Sequence, residues 1–260
     1  MPVVQSNGCP IHYELEGPDN KPVLMLCNSL GTTLHMWDGQ MGALTQHFRV
    51  LRYDRRGHGK SGVPTGAYNM EMLGRDALAV LDAAKIEKTH WCGLSMGGMV
   101  GMWMGAKAPQ RVNKLILSNT SAYFPDKEIW NGRLKTVREK GLQAIVTGTM
   151  ERWFTQDFRE REPSKIKWMT EMFLATKPDG YIGCGEAVRD MDHRELIKSI
   201  QAPTMVIAGR HDAGTTVEMA ELVRKNIPGA SLTLFDAAHI ANVEQQHDYT
   251  EAVIGFLTQK

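Results

Sequence analysis

The 260-residue chain carries 30 Lys and Arg against 29 Asp and Glu, a net charge of +1, so it has no basic surplus for nucleic acid or an acidic membrane surface. The length fits one large domain or a core domain with an insertion, enough to bury a core and hold a pocket. No apolar run approaches the roughly 20 residues of a bilayer-spanning helix.

The first residues, MPVVQSNGCPIHYELEG, lack the basic-then-apolar order of a secretory signal. From there, strand-like and helix-like stretches alternate. VLMLCNS (Val23–Ser29), FRVLRYD (Phe48–Asp54), THWCGLS (Thr89–Ser95), KLILSNT (Lys114–Thr120), PTMVIAG (Pro203–Gly209) and SLTLFDA (Ser231–Ala237) read as strands. Several are apolar on both faces, as strands buried in a parallel sheet are. Between them MEMLGRDALAVLDAAK, MGGMVGMWMGAKAP and TVEMAELVRKNIPG place apolar residues at helical spacing, and DYTEAVIGFLTQK closes the chain in the same way. This alternation predicts an α/β fold with helices on both faces of a mostly parallel sheet.

The alternation stops between residues 121 and 199. That span holds helical patterns (GRLKTVREKGLQAIVTGTMERWF, SKIKWMTEMFLATK) and Trp130, Trp153 and Trp168, three of the six tryptophans. It reads as a helical cap inserted into a core made of residues 1–120 and 200–260. The four cysteines (Cys9, Cys27, Cys92, Cys184) show neither metal-type nor scaffold-type spacing. No metal is expected, and a reduced, cytoplasmic protein is.

Chemistry concentrates at Gly93-Leu94-Ser95-Met96-Gly97, where a strand pattern meets a helix pattern. This G-x-S-x-G spacing is that of a nucleophile elbow: the serine sits on a tight strand-to-helix turn, and glycines let the two arms pass. A serine hydroxyl needs a base. Of nine histidines, His239 follows the last strand pattern and would reach the same sheet end as Ser95. His58, in the glycine-rich DRRGHGKSG, reads as part of a structural turn. The acid that orients the base is expected at Asp212, just after PTMVIAG. Ser95, Asp212 and His239 stand in the chain order of an α/β-hydrolase triad.

With these residues in place, the chain resembles the α/β-hydrolase superfamily over essentially its whole length. Within it, NSLGTTLHMWDGQ, RYDRRGHGKS, GLSMGGMVG, SNTSAYF, IAGRHDAGTT and DAAHIANVEQ are similar to the 3-oxoadipate enol-lactonases of aromatic breakdown. The resemblance implies an oxyanion hole from the backbone N–H groups of Leu30 and Met96. It puts Asn28 where the superfamily usually has histidine, and Asn119 where some relatives carry the triad acid. It implies serine acyl-enzyme hydrolysis of a small lactone bearing a carboxylate, with no cofactor. The cap offers Arg133 and Arg138 for that carboxylate and Trp130 for the pocket wall. Other readings of the same triad are a different esterase, a carbon–carbon bond hydrolase, a cofactor-free haloperoxidase and a non-catalytic lactone sensor. The expected partner is a small-molecule lactone or ester, with no nucleic acid and no membrane.

Overall fold

In the computed structural model, which describes residues 2–259, eight strands form one sheet. They are β1 (Val3–Ser6), β2 (Cys9–Glu16), β3 (Val23–Cys27), β4 (Arg49–Tyr53), β5 (Thr89–Leu94), β6 (Val112–Ser118), β7 (Thr204–Gly209) and β8 (Ser231–Phe235). Their spatial order is β1-β2-β4-β3-β5-β6-β7-β8. From β4 to β8 every neighbouring pair is parallel. All six strands read from the sequence are present, each within a few residues of the expected limits. Every residue of β5 and β7 is buried, so both faces of the sheet are covered.

Two strands were not legible. β1 and β2 form an antiparallel hairpin, and β2 pairs antiparallel with β4. Their link is Asn7-Gly8, with both residues at positive φ (47° and 76°), the conformation a two-residue hairpin turn requires.

The helices of the core are α1 (Asp38–His47), α2 (Met70–Ala83) and α3 (Met96–Lys107), followed after the insertion by α9 (Val217–Asn226), α10 (Ala241–Glu244) and α11 (Gln246–Thr258). α1 and α10 pack against α11, α2 packs against α3, and α9 lies on β7 and β8. Gly74 lets α2 approach α3, because a Cβ there would lie 2.0 Å from a Trp103 ring atom.

Between β6 and β7 lie α4 (Lys127–Lys140), α5 (Val146–Trp153), α6 (Gln156–Arg161), α7 (Pro163–Leu174) and α8 (Pro178–Asp190). The long helical pattern at residues 132–154 is divided, because Gly141 takes φ +73° and caps α4. The two ends of this insertion meet: Tyr123 bridges Asp192, and His193 N–H donates to Ala122 O at 2.7 Å. Within it Trp153 meets Phe173 edge-on and Phe154 stacks on Phe158. α8 rests on the loop after β4 backbone to backbone; a Cβ on Gly57 would come within 2.7 Å of Gly180 Cα. No helix among the described residues is long and apolar enough to cross a membrane.

Three buried histidines make stability pH-dependent. Burial lowers His58 to about 3, with Arg55 adding to the effect. Burial also lowers His90 and His193 to about 4 each. Each stays neutral in the fold while its unfolded counterpart, near 6.5, takes up a proton. Below about pH 6.5 the unfolded state therefore binds more protons, and stability falls as pH drops toward 4. Above that value these groups contribute no slope. The urea midpoint is expected to decline steadily from pH 7 to pH 4.5; an unchanged midpoint over that range would contradict neutral burial of the three rings.

Candidate active site

Ser95 links β5 to α3 with φ 58° and ψ −117°, a left-handed conformation that side chains other than glycine rarely adopt. The surroundings fix it. Ser95 N–H donates to Ser118 O at 2.8 Å, and its carbonyl accepts from Thr120 Oγ1 at 2.7 Å and from the Gly98 and Met99 N–H groups. The flanking glycines are steric necessities. A Cβ on Gly93 would lie 2.1 Å from Gly97 O, and one on Gly97 would lie 2.0 Å from Cys27 O. The turn is thus so tight that β5, α3 and the end of β3 touch through backbone alone.

Asp212 follows β7 and His239 follows β8, neighbouring parallel strands whose carboxyl ends lie side by side. Gly209 permits this approach, since a Cβ there would be 2.3 Å from both Ala237 O and Ala238 O. His239 Nδ1 is 2.7 Å from Asp212 Oδ2. The same Oδ2 accepts from Thr215 Oγ1 (2.6 Å) and Asn119 Nδ2 (3.2 Å), while Oδ1 accepts from the Gly214 and Thr215 N–H groups, both at 2.9 Å. Burial by itself raises the Asp212 carboxyl. The His239 charge and the bonds from His239 and Thr215 outweigh it and leave the carboxyl below its ordinary value. Asp212 is therefore a buried carboxylate held against the Nδ1 edge of the His239 imidazole. Asn119, the position where some relatives carry an acid, also donates to Ala238 O at 3.1 Å and so ties the aspartate to the histidine loop.

The loop after β3 carries Leu30, and α3 begins at Met96. Both residues line the same pocket as Ser95, Asp212 and His239. Met96 is the first residue of its helix, so its N–H has no partner four residues back. The Leu30 N–H has no protein acceptor among the described residues. Asn28 donates through Nδ2 to Thr32 O at 2.7 Å, holding the loop from inside.

Opposite this group the pocket is walled by Phe124, Trp130, Arg133, Arg152, Trp153 and Tyr181. Arg133 donates to the Tyr181 hydroxyl at 2.6 Å and to Thr149 Oγ1 at 3.0 Å, and lies near the faces of Trp130 and Tyr181. Arg138 sits elsewhere. It is more than half exposed, 3.5 Å from Glu186, and does not reach the pocket. Five residues along a helix turn a side chain by about 140°, so Arg133 and Arg138 cannot share a face.

The cation that accompanies Arg133 is Arg152, which sequence reasoning missed. It shares Thr149 Oγ1 with Arg133, at 3.3 Å. Burial, then the neighbouring Arg133 charge, lowers its pKa. Neither guanidinium has a carboxylate partner among the described residues. Tyr181 and Thr215 were missed as well; only Thr215, three residues after Asp212, had a positional signal. Met99, 1% exposed, also lines the pocket.

The alpha/beta hydrolase fold family model matches residues 22–246. The chain is 37% identical to 3-oxoadipate enol-lactonase 2 of Acinetobacter baylyi, over 94% of this chain and 91% of that protein. The crystal structure of the enol-lactonase from Burkholderia xenovorans LB400 superposes with a TM-score of 0.97 at 39% identity, covering 99% of this chain and 100% of the other. A malate-bound thermophilic esterase from Thermogutta terrifontis has a TM-score of 0.91 at 27% identity, over 98% of this chain and 97% of its own. The chain belongs to the alpha/beta hydrolase fold family, and within it is similar to the 3-oxoadipate enol-lactonases.

Proposed function

We propose that this hydrolase opens a small enol-lactone carrying a free carboxylate, 3-oxoadipate enol-lactone being the substrate the relatives indicate, by a serine acyl-enzyme route. The observation that carries the reading is a pocket lined by Ser95, His239 and Asp212 and by two cap arginines, Arg133 and Arg152, that have no carboxylate partner among the described residues. Ser95 attacks the lactone carbonyl as His239 takes its proton, and Asp212 stabilises the imidazolium. The Leu30 and Met96 N–H groups receive the developing oxyanion. Ring opening releases an enolate that takes the proton held by His239 and becomes a ketone, which leaves His239 neutral again. That leaving group stays tethered through the acyl chain. Water, deprotonated by His239, then frees Ser95 and gives 3-oxoadipate. The serine, histidine and aspartate suffice for each step, so the chemistry requires neither metal nor organic cofactor. Residues 121–199 act in this reading as a cap domain that selects the substrate over a core of residues 1–120 and 200–260. The four cysteines are buried free thiols, which suits a reducing cytoplasm.

The carboxylate falls to Arg133 and Arg152, the two cap arginines that line the pocket. Arg133→Ala should weaken the acidic lactone by roughly 2–4 kcal/mol in kcat/KM terms, the range for losing a desolvated charge partner. Arg152→Ala should act in the same direction. Arg138→Ala should change little, since an exposed ion pair contributes about 0–1 kcal/mol. A neutral aryl acetate has no carboxylate to lose, so all three variants should handle it nearly normally. Comparing kcat/KM for both substrates tests the reading. Equal losses on both in Arg133→Ala would mean a packing defect in the cap and would remove the carboxylate assignment.

A further inference from the structure

The serine mechanism depends on the Leu30 N–H pointing into the pocket, and a backbone loop does not hold such a direction unaided. The peptide on each side of Leu30 is a rigid plane whose C=O and N–H point in opposite directions. On the first plane, Ser29 O accepts from Arg55 Nη2 at 2.7 Å and from Thr32 Oγ1 at 2.8 Å. With that carbonyl pinned toward the protein, the Leu30 N–H is turned the other way. On the second plane, the Gly31 N–H donates to His58 Nε2 at 2.9 Å. Arg55 and His58 thus hold the two planes that flank Leu30, both from the loop after β4.

We infer that His58 is a positioning residue for the oxyanion hole: its bare Nε2 fixes the Leu30–Gly31 peptide and, with Arg55, the direction of the Leu30 N–H. The donor in this bond is a backbone N–H, so the ring nitrogen must accept. The neutral ring then carries its proton on Nδ1, where Arg56 O lies at 3.3 Å and Cys184 Sγ at 3.9 Å. His58 is 1% exposed, beneath the point where Gly57 and Gly180 meet. Burial beside Arg55 lowers it to about 3, so the ring stays neutral and keeps its acceptor at neutral pH. A protonated ring would have no lone pair for Gly31. Gly31 itself takes φ +80°, and a Cβ there would strike Phe173 at 2.6 Å, so the loop cannot relieve a lost anchor by shifting toward α7.

The inference rests on the proposed serine chemistry, but not on the identity of the lactone. The test therefore uses 4-nitrophenyl acetate and an alkylboronic acid, which forms a tetrahedral anionic adduct with a nucleophilic serine. His58→Leu removes the acceptor at similar volume, whereas His58→Gln returns an amide oxygen close to the Nε2 position. In His58→Leu, kcat should fall about 10- to 100-fold, less than or equal to the loss of an oxyanion donor, with KM within about 3-fold. Boronate affinity should fall with kcat. His58→Gln should recover most of both.

If His58→Leu keeps kcat within about 2-fold while Ser95→Ala is inactive, the positioning role is overturned and the serine mechanism stands. If Ser95→Ala remains active, the serine mechanism itself fails and this inference with it. Equal impairment of the Leu and Gln variants, with matching losses in unfolding temperature, would mean packing alone and would also overturn it. Should His58→Leu not fold, long-range ¹⁵N–¹H spectra of the unaltered protein decide. A bare Nε2 with the proton on Nδ1 from pH 5 to 8 supports the inference; a proton on Nε2 overturns it.

Discussion

Ser95→Ala is expected to give a folded protein whose hydrolysis of lactone or aryl acetate is reduced at least about 10³-fold. The loss is chemical because Oγ supplies the electron pair that forms the acyl-enzyme, and no neighbouring group can replace it. The fold should survive for a specific reason. The Ser95 side chain makes no capping bond to α3, and its backbone is held through its own N–H and carbonyl by Ser118, Thr120, Gly98 and Met99. Alanine keeps the Cβ that the positive φ already accommodates, so it adds no strain. Thermal unfolding within a few degrees of the parent, beside a lost turnover, is the expected pair of results. Near-normal turnover would remove Ser95 as the nucleophile.

Asp212→Asn is expected to lose about 10⁴-fold in kcat, and here the geometry says why an isosteric change is so costly. The carboxylate accepts five bonds: two at Oδ1 from Gly214 and Thr215 N–H, and three at Oδ2 from Thr215 Oγ1, Asn119 Nδ2 and His239 Nδ1. An asparagine can keep its oxygen toward the two N–H groups only by turning its NH₂ toward His239. The imidazole must then accept at Nδ1, which moves its proton to Nε2. A ring protonated at Nε2 cannot take the serine's proton. The Asn119 amide would also face another amide nitrogen, so a loss of stability of about 1–3 kcal/mol should accompany the kinetic defect. The combination of lower kcat, little change in KM and a lower denaturant midpoint is the signature to look for. Full activity in this variant would mean that a different acid serves His239.

The parts legible in the sequence are those encoded by local repetition. β3, β5 and β7 are buried along nearly their whole length and β6 over its last four residues, so they show as short, mostly apolar runs. Ser95 is legible because the turn demands glycine on both sides. His239 and Asp212 are legible because the ends of strands can be counted. The β1–β2 hairpin was hidden because its strands lie at the sheet edge and carry polar residues, such as Glu14 and Glu16, that a buried strand would not. Its Asn7-Gly8 turn was the one available signal. α8 was hidden by Gly180, Gly183 and Gly185, which weaken helix propensity but let the helix sit directly on the loop after β4 and on Tyr68. Arg152 could not be read at all. Its place beside Arg133 depends on how α5 folds back toward α4, and no spacing along the chain encodes that.

The pairing of Tyr123 with Asp192, and of His193 with Ala122, has a consequence for how such an enzyme can change. Because the insertion leaves and re-enters between β6 and β7 at one closed neck, the strands themselves do not depend on its length, and it meets the core through the loops at their carboxyl ends, at Gly57, Gly31 and Ile240. Lengthening the helices away from the core costs only the slowly growing entropy of a longer loop, whereas exchanging them must preserve the contacts that reach the catalytic loops, such as the Ile240 N–H on Trp153 O at 3.0 Å beside His239. The two parts can therefore diverge at different speeds. A recombinant that joins residues 1–122 and 193–260 of this chain to the enclosed segment of a related hydrolase would keep its nucleophile while acquiring a new appetite, provided the new segment again places a glycine against Gly57.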